Sequence, residues 1–255
     1  MSKINRLLSN TPAEIVLTTA WLVKQGYSFD LISRYKKSRW LESVGYGAVK
    51  RCNDKINYMG GLYALQEQSG LKIHVGGRTA LALQDSGQYL DMANSKVNLF
   101  GSQQDKLPSW FKHYDWQVNF NYYQTIFLPA DLALTNFDEK AFSIKISSRE
   151  RAIMECFYLA PQHQELFECY ELMEGLYNLR PKIVQQLLEQ CNSVKVKRLF
   201  LYLAEKFYHP WFEFLDLSKV NLGTGKRSIA PKGVYIDKYK IVVPKEFTIN
   251  AQPEL

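Results

Sequence analysis

Most of the residue patterns that mark a catalytic, metal or membrane function are missing from this sequence. Its four cysteines, Cys52, Cys156, Cys169 and Cys191, are scattered with no Cys-x-x-Cys pair. A chain of 255 residues buries a core without covalent staples, so these read as reduced core thiols. The four histidines, His74, His113, His163 and His209, show no His-x-x-x-His spacing, and only Cys156, His163 and Cys169 come near one another along the chain. Zinc ligands usually pair more closely, which argues against a metal there. Apolar runs such as Leu199 to Ala204 fall far short of the roughly 20 residues a membrane span needs. Met1 to Asn10 lacks the apolar stretch of a secretory signal, so the expected compartment is the cytoplasm.

The glycine-rich segments are equally incomplete. Gly76-Gly77 precedes a helix-forming stretch from Thr79 to Leu83, but no Lys-Ser/Thr follows. A tight strand-to-helix turn is therefore favoured over a phosphate cradle. Gly223-Thr224-Gly225-Lys226-Arg227 has the composition of a phosphate loop without its spacing and reads as a mobile basic loop. Lys232, Lys238, Lys240 and Lys245 lie near it, either as additional phosphate contacts or as plain surface. Gly101-Ser102 followed by Asp115-Trp116-Gln117 imitates a nucleotidyl-transfer signature, yet Gln117 stands where a second metal-binding carboxylate is needed. Glu165, Glu168, Glu171 and Glu174 recur every three residues and read as a solvated acidic helix face. No catalytic residue, cofactor or metal is expected.

What is present is a globular composition and a local excess of positive charge. With 46% hydrophobic and 14% aromatic residues the chain is not disordered. Residues 1–55 carry ten Lys/Arg against four Asp/Glu, residues 56–100 three of each, and residues 101–255 nineteen against eighteen. Nearly all of the net +7 therefore sits in the first fifth of the chain, the footprint of a polyanion-binding surface.

That basic region has the punctuation of a helix-turn-helix. Thr11-Pro12-Ala13-Glu14 offers an N-cap, a first-turn proline and a capping-box glutamate, predicting a helix through Ile15, Val16, Leu17, Ala20, Trp21, Leu22 and Val23 to Gly26. Ser28 caps a second helix over Phe29 to Ser38, three residues later. Asp30, Ser33, Arg34 and Lys37 follow i, i+3, i+4, i+7 and share a face, with Leu31, Ile32 and Tyr35 on the inner side. Ser33 and Arg34, flanked by Lys36, Lys37 and Arg39, suit major-groove contacts. Trp40 to Val44, the Gly45-Tyr46-Gly47 turn and Ala48 to Arg51 predict a hairpin wing, with Tyr46 at its tip. Lys50 and Arg51 lie on its return strand, placed to run along phosphates, and Trp40 reads as a core anchor.

The residues from Ser33-Arg34-Tyr35 through Ser38-Arg39-Trp40-Leu41-Glu42-Ser43-Val44-Gly45-Tyr46-Gly47-Ala48-Val49-Lys50-Arg51 resemble the AbiEi antitoxins of type IV, abortive-infection toxin–antitoxin systems. Tyr63-Ala64-Leu65-Gln66, His74-Val75-Gly76-Gly77-Arg78-Thr79-Ala80-Leu81 and Gly87-Gln88-Tyr89-Leu90 extend the likeness. In that family the wing's return strand usually carries a tyrosine where this chain has Val49. The resemblance implies a repressor of its own operon that binds double-stranded operator DNA and counteracts a separately encoded nucleotidyltransferase-like toxin. It names no catalytic residue, and the toxin-neutralising residues stay unassigned.

Further along, Val97 to Phe100, Gln117 to Tyr123, Thr125 to Leu128 and Ala141 to Ser147 read as strands. Ser147-Ser148-Arg149-Glu150 offers a capping box for a helix that Pro161 closes, and helices follow over Glu165 to Tyr177, Pro181 to Gln190 and Val194 to Tyr208. The predicted fold is α+β: an N-terminal winged helix-turn-helix with its connecting segment over residues 1–95, then a mixed strand-and-helix domain over residues 96–255. Two other functions remain open on sequence alone. One is a ligand-responsive transcriptional regulator with no toxin partner; the other is an enzyme acting on nucleic acid.

Overall fold

Ser2 starts the first helix: its hydroxyl oxygen accepts from the Asn5 backbone N–H at 3.3 Å, capping α1 over Lys3–Asn10. The computed structural model describes residues 2–86 and 96–249, so the Gly87-Gln88-Tyr89-Leu90 segment lies outside the described residues. Thr11 does not open a helix, as its sequence suggests, but closes one. Its hydroxyl donates to the Leu7 carbonyl at 2.8 Å, and Pro12 to Val16 run without regular structure. Glu14 sits in the left-handed region at φ 62°, which no helix start tolerates. Leu17–Thr18 then form β1, pairing Leu17 with Val49. Ile15, Val16 and Leu17 are all buried, a burial pattern that suits an extended segment enclosed on both faces. The second helix, α2, covers only Thr19–Lys24, capped by Thr18.

Gly26, at φ 85°, and Tyr27 turn the chain into α3, Phe29–Lys37, capped by Ser28. Leu41–Gly45 (β2) and Ala48–Arg51 (β3) form the hairpin, and the sheet order is β1-β3-β2, all antiparallel. The order α1-β1-α2-α3-β2-β3 is that of a winged helix-turn-helix.

Two compact units make up the chain. The first comprises residues 1–75, 89–125 and 134–146. Besides the winged element it holds α4 (Tyr58–Tyr63), β4 (His74–Val75), β5 (Lys96–Gly101), α6 (Ser109–His113), β6 (Asn119–Gln124), β7 (Leu134–Glu139) and β8 (Phe142–Ser147). These strands make one sheet ordered β6-β5-β4-β8-β7. Trp110, Phe111, Trp116 and Phe120 form an aromatic cluster with Tyr58 beside the sheet. The fit is tight enough that a Cβ on Gly45, at the end of β2, would stand 2.9 Å from that of Trp110. Gly61 is similarly confined, since a Cβ there would meet Trp116 at 2.7 Å.

The second unit comprises residues 76–88, 126–133 and 147–255. Its helices are α5 (Gly77–Ser86), α7 (Arg149–Leu159), α8 (Leu166–Glu174), α9 (Pro181–Gln190) and α10 (Val194–Lys206). Ile153, Phe157, Leu187, Leu199 and Phe200 are among its fully buried side chains. The Ser147–Glu150 capping box does not form. Ser147 Oγ donates instead to Glu155 at 2.7 Å, and Glu150 holds Arg180 through two guanidinium nitrogens at 2.9 Å each. Thr125 to Leu128 is not a strand: the Ile126 and Phe127 carbonyls accept from Asn192 at 3.2 and 2.9 Å, and the Phe127 ring stacks on Tyr158.

Beyond α10 the sequence showed only a loose basic loop, whereas the structure has a small sheet: β9 (Arg227–Ser228), β10 (Val234–Ile236) and β11 (Ile241–Val243), ordered β10-β11-β9. Its organiser is Arg198. This buried guanidinium donates to the carbonyls of Leu222 (2.9 Å), Gly223 (3.1 Å), Gly225 (2.6 Å) and Lys240 (2.9 Å). Arg198 thus binds the glycine-rich segment through the Leu222, Gly223 and Gly225 carbonyls.

Candidate nucleic-acid interface

Helix α3 exposes one side and buries the other because its apolar residues fall on one stripe. Ile32 is buried, Leu31 and Tyr35 are half-buried, and Ser33, Arg34, Lys36 and Lys37 are exposed. The helix stops at Ser38, whose N–H and hydroxyl both donate to the Arg34 carbonyl. Arg39 follows in the left-handed conformation at φ 56°, so the chain reverses and the Arg39 side chain stays in solvent. Among the described residues, the side chains of Arg34, Lys36, Lys37 and Arg39 make no ion pair and no hydrogen bond, which leaves four cations available to an external anion. Lys36, Lys37 and Arg39 line a groove of ≈ 660 Å³ whose other side is made by Leu41, Glu42, Ser43 and Cys52, the Glu42 carboxylate being paired with Lys50. Cys52 is accordingly half-exposed, while Cys156, Cys169 and Cys191 are buried. Burial pushes the Cys169 thiol up to about 12 and Cys191 to about 11, so both stay protonated near neutrality.

The hairpin differs from its sequence reading in two respects. Tyr46 does stand at the tip, 94% exposed. Lys50, however, is buried, with its ammonium 2.5 Å from Glu42 Oε1 and donating to the Asp54 carbonyl at 2.7 Å. Arg51 turns inward, donating to the carbonyls of Leu8 and Thr11 and to the Thr11 hydroxyl. Both cations hold the unit together and neither lies along the wing's outer surface. Trp40, expected in the core, is instead 46% exposed beside Arg39. The burial follows from register: β3 places Lys50 directly opposite Glu42, a cross-strand ion pair. Val49, opposite Leu17, is core.

The decoy motifs are occupied by the chain's own groups. Ser102 N–H and Oγ donate to Asp105 at 3.1 and 2.8 Å, and Asp115 accepts from the Gln117 N–H at 2.9 Å. At the start of α5, the Gly77 N–H donates to the buried Glu155 carboxylate at 2.8 Å, so the anion at that helix end is internal. Of the acidic row on α8, Glu168 pairs with Arg78 and the others are exposed. Among the described residues no helix is long and apolar enough to cross a membrane.

Fold and surface together define a winged helix-turn-helix protein. The model described as "Transcriptional regulator, AbiEi antitoxin N-terminal domain" matches residues 1–92, and that described as "Transcriptional regulator, AbiEi antitoxin, Type IV TA system" matches residues 94–244. The chain belongs to the AbiEi family of transcriptional-regulator antitoxins of type IV toxin–antitoxin systems. No curated protein matches the sequence. The crystal structure of the RV2827C protein from Mycobacterium tuberculosis is similar in fold, with a TM-score of 0.58 and 16% identity over 94% of this chain and 89% of that one.

Proposed function

We propose that the protein is a cytoplasmic binding protein that represses its own operon through α3 and the hairpin tip, and opposes a nucleotidyltransferase-like toxin through its second unit. The observation that carries the DNA role is the set of four exposed cations, Arg34, Lys36, Lys37 and Arg39, on and just after one capped helix and without partners among the described residues. Ser33 and Arg34 lie on the exposed face, where arginine recognises guanine edges, and Lys36, Lys37 and Arg39 hold phosphates in the groove beside it. Tyr46 adds an aromatic contact at the tip. Lys50 and Arg51 act within the unit. Catalysis has no support in the motifs that imitate it, because Ser102 and Asp115 are both engaged by neighbouring residues.

A reporter fused to the DNA upstream of the protein's own coding sequence tests the proposal in cells. The full chain should silence it, Lys36→Glu with Lys37→Glu should release it, and co-expression should relieve toxicity from an adjacent nucleotidyltransferase-like gene. A reporter silenced equally by the double variant would refute the DNA role. A second reading, a ligand-responsive regulator, draws on an apolar groove of ≈ 740 Å³ lined by Leu179, Pro181, Ile183 and Phe214. A metabolite co-purifying with the chain, lost in Ile183→Glu, would favour it.

A further inference from the structure

We propose that the cleft between α1 and α2 seats a backbone phosphate of the same DNA, a second electrostatic contact that rests on the DNA-binding role above. The cleft has a volume of ≈ 290 Å³ and is lined by Lys3, Arg6, Asn10, Trp21, Gln25 and Tyr27, among others. Lys3, Arg6 and Asn10 follow i, i+3, i+7 and so share one face of α1, while Trp21 and Gln25 are four apart across the cleft. Two helix faces meeting inside a domain normally close over apolar side chains; these leave a space edged by cations and amides, with no carboxylate in its lining. The Arg6 guanidinium has no hydrogen-bond or ion-pair partner among the described residues. Lys3 reaches only the Gly26 carbonyl, at a long 3.3 Å.

Lysine, arginine, asparagine and glutamine are the side chains that hold phosphate oxygens on duplex DNA. Position adds to chemistry. Gly26 and Tyr27, which help line the cleft, form the turn leading into α3, so a phosphate held there flanks the start of the helix proposed to enter the groove. In helix-turn-helix proteins the element before the recognition helix crosses the DNA backbone. The contact also accounts for charge that the hairpin does not supply, since Lys50 and Arg51 face inward.

The test uses the full chain and a duplex covering the DNA upstream of its own coding sequence, titrated over a range of salt concentrations. Each phosphate contact steepens the plot of log K against log salt by about 0.9, so Lys3→Gln with Arg6→Gln, which empties one phosphate seat, should make it shallower by about 0.9. The preference for that duplex over a scrambled one should not change. Lys3→Arg with Arg6→Lys, which keeps the charges, should retain the wild-type slope. A wild-type slope in the glutamine pair, or a slope lost equally in the charge-preserving pair, overturns the inference while leaving the DNA role standing. A wild-type chain that binds no duplex defeats both.

Discussion

Lys50 and Glu42 face each other across the hairpin with ammonium and carboxylate 2.5 Å apart, so the lysine of the wing's return strand neutralises its own neighbour. Lys50→Gln should therefore leave the salt dependence of DNA binding unchanged while lowering stability by about 1 kcal/mol, because a largely buried charge-assisted contact is lost. Chemical denaturation and salt-dependent titration of the same variant check both halves. A flattened salt slope would return Lys50 to the DNA surface.

The contrast between α3 and the segment before it shows what local sequence can and cannot specify. Ser28, Gly26 and the i, i+3, i+4, i+7 face of Asp30, Ser33, Arg34 and Lys37 are signals contained within a dozen residues, and the helix lies where they place it. Thr11-Pro12-Ala13-Glu14 carries the same kind of signal, yet the structure overrides it, because Leu17 pairs with Val49, more than thirty residues away. The place of Lys50 is hidden for a related reason: counting back from the Tyr46-Gly47 turn sets Ser43 opposite Lys50, and the irregularity between Ser43 and Gly45 shifts the register so that Glu42 stands there instead. Lys3 and Arg6 were overlooked as a face, although Ser2 and the i, i+3, i+7 spacing to Asn10 mark one. Nothing local announces that Arg198 will gather carbonyls from Leu222 to Lys240.

Because Gly45 abuts Trp110 and Tyr58 meets Phe120 edge-on, the winged element shares a core with strands that follow residue 95. A fragment of residues 1–95 should lack a cooperative thermal transition by circular dichroism, and one of residues 1–146 should retain one. Gly45→Leu in the full chain should cost about 1–3 kcal/mol through overpacking. A cooperative melt from residues 1–95 would show that the element folds without its aromatic neighbours.

Glu150 is buried, which by itself would raise its pKa, but hydrogen bonds from the Arg180 side chain and backbone outweigh burial and bring it from 4.5 to about 2. Its folded value being depressed, the ionised carboxylate contributes stability that is full above about pH 4.5 and disappears as pH falls to about 2. Glu150→Gln should thus be less stable than wild type by about 2 kcal/mol at neutral pH, the exposed Arg180 being partly screened. The difference should close on acidification. Urea titrations across that interval measure it, and a constant difference would remove the ion pair as its cause.

Arg198→Met should leave the carbonyls of Leu222, Gly223, Gly225 and Lys240 without their donor and destabilise the second unit by about 3 kcal/mol. Amide exchange should become fast from β9 to β11 before it does in α10. Uniform loss of protection would indicate that the small sheet is not held by Arg198.

The central claim, that α3 recognises a particular DNA sequence, is tested most directly by titrating the full chain and Arg34→Ala against the upstream duplex and a scrambled duplex at one fixed salt concentration. Arg34 is exposed on the recognition face and free of internal partners among the described residues. Its loss should reduce discrimination between the two duplexes by about 1–3 kcal/mol and weaken the scrambled complex only slightly. An Arg34→Ala protein that still discriminates as well as wild type would contradict sequence recognition by this face of α3.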